Sequence, residues 1–210
     1  VMIANPNAPT GIALGIDDIE KIVSSNRESI VIIDEAYVDF GCESAVMLTK
    51  KYDNLLVIQT LSKSRSLAGE RVGFCIGNSE LIAGLNCVKN SINSYTIDRL
   101  ALKAAKAAFE DRGYFDETRN KIIATRQRTA ESLEELGFDV LPSMANFIFA
   151  KLPGMYGGKL FQALRDEGIL VRYFNKPGID DRLRISIGTD EEMDELLKAV
   201  KKIIGRQQLA

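Results

Sequence analysis

Histidine is absent from all 210 residues, and that absence removes a large part of enzyme chemistry. Within this chain there can be no Ser-His-Asp triad, no Cys-His dyad and no histidine-ligated metal. Acid–base work falls to Lys, Tyr, Asp, Glu or a bound group. Cysteine is scarce: Cys42, Cys75 and Cys87 are the whole set and show no CxxC spacing. That argues against a disulfide framework or a thiolate zinc site, and for a reducing compartment such as the cytoplasm. No apolar run approaches the ~20 residues of a membrane span. Charge of one sign is not in excess either. The 27 Lys and Arg against 29 Asp and Glu give a formal net charge of -2, and nothing there suggests nucleic acid or an anionic membrane as a partner.

What is present is ordinary for a globular chain, with 46% hydrophobic and 27% charged residues. The length suits one domain plus part of a second. Residues 1–4 are an apolar run that passes straight into the turn Asn5-Pro6-Asn7-Ala8-Pro9-Thr10-Gly11. They read as the interior of a buried strand, so the sequence is expected to be cut from a longer chain. Residues 29–34, 55–59 and 72–76 are further continuous apolar strands, and 17–24, 81–88 and 98–109 have helical spacing. Strands of this kind alternating with helices imply a parallel or mixed α/β sheet covered on both faces.

A long helix is expected over 116–136, with a solvated charged face at 119–128. Beyond Gly137, short strands at 138–141, 146–150, 170–172 and 183–187 alternate with helices at 159–167 and 191–204. This predicts residues 1–115 as a sheet domain, and 116–210 as a connecting helix and a small α+β domain.

Ligands of such sheets lie beyond the carboxyl ends of the strands, and Asn5, Asp34 and Ser62-Lys63 all lie just past strand ends. Asp34 closes a β-branched run, where a carboxylate is costly unless it meets donors or a cation. A protonated pyridine nitrogen would be such a cation; a strand-end Asp capping the next turn is the plainer reading. Lys63 follows a strand and sits among small residues. A covalently reacting lysine needs some neutral amine, and neighbouring cations such as Arg65 and Arg71 could favour it. Ser62, Ser64 and Ser66 offer hydroxyls, and Arg71 a fork that suits a phosphate. Tyr37, three residues after Asp34, could donate to a ligand oxygen or simply pack on the sheet.

These residues carry a resemblance. The run from Asn5 to Gly11, then Asp34-Glu35-Ala36-Tyr37, then Thr60-Leu61-Ser62-Lys63 with Leu67-Ala68-Gly69-Glu70-Arg71-Val72-Gly73, is similar to the class II pyridoxal-phosphate aminotransferases of fold type I. The stretch from Thr60 to Gly69 looks like that class's lysine-site signature. Within the class, Asp34 to Phe40, Gly168-Ile169-Leu170-Val171-Arg172 and Leu183-Arg184-Ile185-Ser186-Ile187-Gly188-Thr189 resemble the histidinol-phosphate aminotransferases.

The resemblance implies the later part of a large cofactor-binding sheet domain followed by a small C-terminal α+β domain. It implies pyridoxal 5′-phosphate held covalently by Lys63, which then moves a proton between the substrate Cα and the cofactor C4′. It places Asp34 on the pyridine nitrogen, Tyr37 on the ring hydroxyl, and Ser62 and Arg71 on the cofactor phosphate. Arg172 and Arg184 would hold a substrate phosphate, Arg184 would take the α-carboxylate of glutamate, and Asn146 would lie near the site. The family commonly has Asn-Pro-Thr-Gly where Ala8 precedes Pro9 here, so the asparagine contact is either lost or taken by a neighbour such as Asn7.

The resemblance further implies ping-pong transamination between histidinol phosphate and 2-oxoglutarate by a homodimer. It also implies that an N-terminal half completes the site, so that this stretch alone can be inactive. An aromatic aminotransferase or a threonine-phosphate decarboxylase would show the same Lys63 and Asp34. A non-catalytic module is the remaining alternative.

Overall fold

The computed structural model describes residues 1–208. They form two compact units, residues 1–7 with 13–119, and residues 8–12 with the chain from 120 onward.

The first unit is built on a four-stranded sheet. Strands β1 (Met2–Ala4), β2 (Val31–Asp34) and β3 (Leu55–Thr60) run parallel, and β4 (Gly73–Gly77) is antiparallel to β3, in the order β1-β2-β3-β4. The strands form where β-branched residues cluster, and the period-2 alternation sorts them. Val31, Ile33, Leu55 and Val57 are fully buried with Ile19 and Val23 of helix α1 (Ile16–Ser25). The acids Asp17 and Asp18 occupy the first turn of α1, where the helix dipole favours them.

On the opposite face Leu56 is buried, and its neighbours Ile32 and Ile58 are half-buried. In β1, Ile3 and Ala4 are half-buried, while Val1 and Met2 are exposed. Helices α2 (Ser79–Ile92) and α3 (Arg99–Glu110) start at Asn78 and Asp98, whose side chains accept hydrogen bonds from first-turn N–H groups. α3 buries Ala101 and Ala105 beside Leu61 and Val72.

Helix α4 (Arg112–Glu135) begins earlier than expected, after Asp111, which accepts a hydrogen bond from Tyr114 N. The solvated face expected over 119–128 is a second correction. Thr125, Arg126 and Thr129 are buried, and Arg126 donates to the Ala145 carbonyl at 2.7 Å. The i, i+4 spacing of Thr125 and Thr129 puts both on the inward face, where each hydroxyl finds an acceptor, Asp190 and the Thr125 carbonyl respectively.

The second unit carries an antiparallel sheet of β5 (Asp139–Val140), β6 (Phe147–Lys151), β7 (Arg172–Tyr173) and β8 (Leu183–Ser186), in the order β5-β6-β8-β7. Ile148, Ala150, Leu183 and Ile185 share a core with Leu133, with Leu160 and Leu164 of α5 (Gly157–Asp166), and with Leu196, Val200 and Ile203 of α6 (Asp190–Gln208). β7 starts at the residue where the sequence pattern had it ending, and Leu170 is 81% exposed.

α6 opens with a reciprocal cap. Glu192 Oε2 accepts from Thr189 N at 2.8 Å, while Thr189 Oγ1 accepts from Glu192 N at 3.3 Å. Among the described residues no helix is long and apolar enough to cross a membrane, and no acidic, Cys or His cluster could hold a metal ion.

Replacing Thr189 by Ala leaves the Glu192 N–H in the first turn without its side-chain acceptor. The expected loss is about 1 kcal/mol, read as a lower denaturant midpoint with an unchanged slope.

Candidate functional site

The register of the first sheet gathers the chemistry-bearing residues. Ala4, Asp34 and Ile58 lie side by side across β1, β2 and β3. The ladder runs one step further through Asn5 N to Asp34 O and Glu35 N to Ile58 O, both 2.8 Å. The carboxyl ends of three parallel strands therefore stop along one edge. β4 enters at that same edge, because Thr60 pairs with Gly73 and Leu61 N donates to Val72 O. Asn5, Asp34, Ser62, Lys63 and Arg71 are thus brought to one border of the sheet.

Each is set there differently. Asn5 is fully buried and serves the loop, accepting from Leu14 N at 2.7 Å and donating to Leu14 O at 3.3 Å. Asp34 is half-buried and accepts from Ala36 N at 3.0 Å through one oxygen. This is the turn cap of the plainer reading, and it occupies only one of the two carboxylate oxygens. Lys63 is exposed, with its ammonium 5.5 Å from the centroid of the Tyr37 ring. Ser62 Oγ lies 2.9 Å from Thr60 Oγ1, and its N–H donates to that same oxygen. Arg71 has left-handed backbone, φ 55°, and its guanidinium donates to the Ala68 carbonyl at 2.9 Å. Asn7 is half-buried next to the turn.

Arg65, expected beside Lys63 as a neighbouring cation, is committed elsewhere. Its guanidinium stacks on Phe115 and Phe109 at 3.9 and 4.6 Å and donates to the Ala108 carbonyl.

Two buried residues support this border; by sequence Glu35 stands out only as part of a motif and Ser64 only as a hydroxyl beside Lys63. Glu35 is 2% exposed and accepts from Ser44 Oγ, Gln59 Nε2 and Ala45 N at 2.7, 2.8 and 2.6 Å. Ser64, next to Lys63, donates to Asp39 at 2.5 Å. The signal for Glu35 was its neighbour: alternation turns Glu35 away from the side Asp34 takes, hence inward.

The second unit holds its own cationic group. Arg172 and Arg184 are direct cross-strand partners on β7 and β8. Like charges directly opposite destabilise a ladder. Their floor is aromatic. Arg184 lies 5.1 Å from the Phe147 ring and 5.7 Å from Phe174, and Arg172 lies 5.3 Å from Phe174. Arg184 Nε is the one buried side-chain N or O without a partner among the described residues. A buried orphan donor next to an opposed like charge is the arrangement an anion would relieve.

Asn146 starts β6, and its backbone carbonyl accepts from Ile187 N. Its loop is fixed by Arg126 on the Ala145 carbonyl, by Ser143 Oγ on the Phe147 carbonyl at 2.6 Å, and by Met144 N on the Gly11 carbonyl. Gly11, at φ 80°, has no room for a Cβ, which would lie 2.4 Å from Ser143 Oγ. That explains why the turn motif ends in glycine.

A family model, aminotransferase class I and II, matches residues 1–200. The chain belongs to that family. It is 57% identical over 204 residues to a histidinol-phosphate aminotransferase of Clostridium acetobutylicum, covering 97% of this chain and 58% of that protein. It is 55% identical over 203 residues to histidinol-phosphate aminotransferase 1 of Bordetella parapertussis, covering 97% of this chain and 57% of that protein. Among solved structures, the histidinol-phosphate aminotransferase of Sinorhizobium meliloti in complex with pyridoxal-5′-phosphate superposes with a TM-score of 0.88 at 26% identity. That match covers 100% of this chain and 58% of that one. The chain thus spans a little over half the length of the curated relatives it matches.

Burial pushes the Glu35 carboxyl above its ordinary range, against the lowering effect of Ser44, Ala45 and Gln59. A raised folded-state value means that the stability this group confers is full below its unfolded value of about 4.3 and falls as pH rises through the folded value. The stability gap between wild type and Glu35→Gln should therefore move in the variant's favour from pH 4 to pH 7 in urea titrations. An equal gap at both pH values would contradict this.

Proposed function

We propose that the full-length protein is a pyridoxal-phosphate-dependent aminotransferase that exchanges an amino group between histidinol phosphate and 2-oxoglutarate, a step of histidine biosynthesis. Residues 1–115 serve as the later part of its cofactor-binding domain, and 116–210 as the connecting helix and small domain. It works in the cytoplasm as a homodimer. The observation that carries the substrate reading is the opposed pair Arg172 and Arg184 with its orphan buried Nε. The names of the curated relatives support the same reading.

The residues along the first sheet's border suit the cofactor group by group. An aldehyde takes an amine, and Lys63 is exposed with no hydrogen bond or ion pair among the described residues. A ring nitrogen that must stay protonated takes a carboxylate, and Asp34 has an oxygen beyond its turn cap. The ring hydroxyl takes Tyr37 or Asn7. A phosphate takes the Ser62 hydroxyl and the Arg71 fork. When bound, the cofactor supplies an electron sink for the carbanion left at the substrate Cα.

The protein's own part is positioning and proton transfer. Lys63 holds the cofactor, then carries the proton between the substrate Cα and the cofactor C4′. Asp34 holds the ring nitrogen's proton in place. Arg172 and Arg184 bind the dianionic phosphate of one substrate, Arg184 takes the α-carboxylate of the other, and Asn146 lines the site.

The test is turnover by the full-length protein. Histidinol phosphate with 2-oxoglutarate should yield glutamate without release of carbon dioxide. Good turnover of an aromatic amino acid with none of histidinol phosphate would overturn the substrate reading, and carbon dioxide release would overturn the reaction class. A finer prediction concerns Arg172→Gln. It should raise KM for histidinol phosphate about 10- to 100-fold, the worth of a lost charge-assisted pair. The glutamate half-reaction should change by no more than about 2-fold, since Arg184 carries that contact.

A further inference from the structure

We propose that Asp39 and Ser64 are positioning residues whose hydrogen bond fixes the distance between the Lys63 amine and the Tyr37 ring. The inference rests on the cofactor role proposed for Lys63 and goes beyond it, because the Ser64 hydroxyl, one of three offered to a ligand, is spent on Asp39 instead.

Two loops meet at this point. One leaves β2 at Asp34, carries Tyr37 and turns through a 3₁₀ segment at Val38–Phe40. The other leaves β3 at Thr60 and carries Ser62, Lys63 and Ser64. Asp39 is flanked by Val38 and Phe40, which are 6% and 0% exposed, so its backbone is anchored on both sides. Ser64 is 7% exposed and donates to Asp39 Oδ2 at 2.5 Å. A hydroxyl-to-carboxylate bond is charge-assisted and stronger than a bond between two neutral groups.

The far side of the second loop is pinned independently. Arg65 stacks on Phe115 and Phe109 and reaches the Ala108 carbonyl. Leu67 N donates to Leu61 O, and Ser66 takes left-handed backbone at φ 56°. Lys63 thus lies between two fixed neighbours, Ser62 on Thr60 and Ser64 on Asp39. Held between them, its ammonium lies 5.5 Å from the centroid of the Tyr37 ring. Because the Arg65 anchor survives loss of the Asp39–Ser64 bond, breaking that bond should loosen the lysine without unfolding the loop.

The reaction that senses this is the condensation of the Lys63 amine with an aldehyde. The nitrogen–carbon bond forms, the carbonyl oxygen leaves as water, and the rate depends on where the amine is held.

The experiment uses cofactor-free full-length protein, adds pyridoxal phosphate and follows the rise of the visible band of the lysine-bound cofactor. The variants are Asp39→Ala, Ser64→Ala, the double Asp39→Ala/Ser64→Ala, and Asp39→Asn. Each single alanine variant should slow the rise about 10-fold, in line with the cost of misplacing a reacting group by a fraction of an ångström to an ångström. The double variant should be no slower than the slower single one, because both remove one interaction. Asp39→Asn, whose carbonyl still accepts from Ser64, should recover to within about 3-fold of wild type, which general loosening of the fold would not produce. Independent, multiplying effects, or rates that stay at wild type while only the melting temperature falls, would overturn the proposal. A wild-type protein that gives no band at all sinks the cofactor reading itself, an outcome distinct from a normal band with a failed cycle.

Discussion

The alignment of Ala4, Asp34 and Ile58 across three parallel strands sets where everything else in the first unit can go. Parallel strands end together, and their carboxyl ends leave the sheet with the next residues pointing past one edge. A one-residue slip in β2 would turn Asp34 to the face where Glu35 now lies and place the buried acid at the border instead. The alternation that buries Val31 and Ile33 against α1 prevents that slip, since exposing both would forfeit several kcal/mol of apolar burial. The geometry of the border is therefore a by-product of core packing on one face of the sheet.

Much of this was legible in the sequence because it depends on local pattern. The β-branched runs announced β2 and β3, and the acid and the lysine stood just after them. Reading the motif from Thr60 to Gly73 was enough to place Lys63, Ser62 and Arg71 together. What escaped depends on partners far away in the chain. Arg126 looked like one more charge on a solvated helix, and only the fold shows that the Ala145 carbonyl lies beneath it. Arg65 looked like a neighbour to Lys63 until Phe109 and Phe115, more than forty residues on, took its guanidinium. The burial of Leu56 beside half-buried Ile32 and Ile58 shows a related limit of pattern. Hydrophobic pattern tells which residues favour burial, and burial itself depends on which elements arrive to cover them.

The second unit shows the same division between what stabilises and what binds. Leu183 and Ile185 face its core, and Arg184 between them faces the aromatic side. Its opposition to Arg172 is a local cost that the core of α5, α6 and β6 can carry. Such a cost, together with the unpartnered Nε, is what the proposed anion would remove.

Lys63, at the border of the first sheet, is proposed as the residue that takes the cofactor. Borohydride reduction of the full-length protein loaded with pyridoxal phosphate, followed by peptide mass spectrometry, tests it most directly. One pyridoxyl-phosphate adduct is expected, on Lys63. An adduct on a different lysine, or a loaded protein with no adduct, would contradict it.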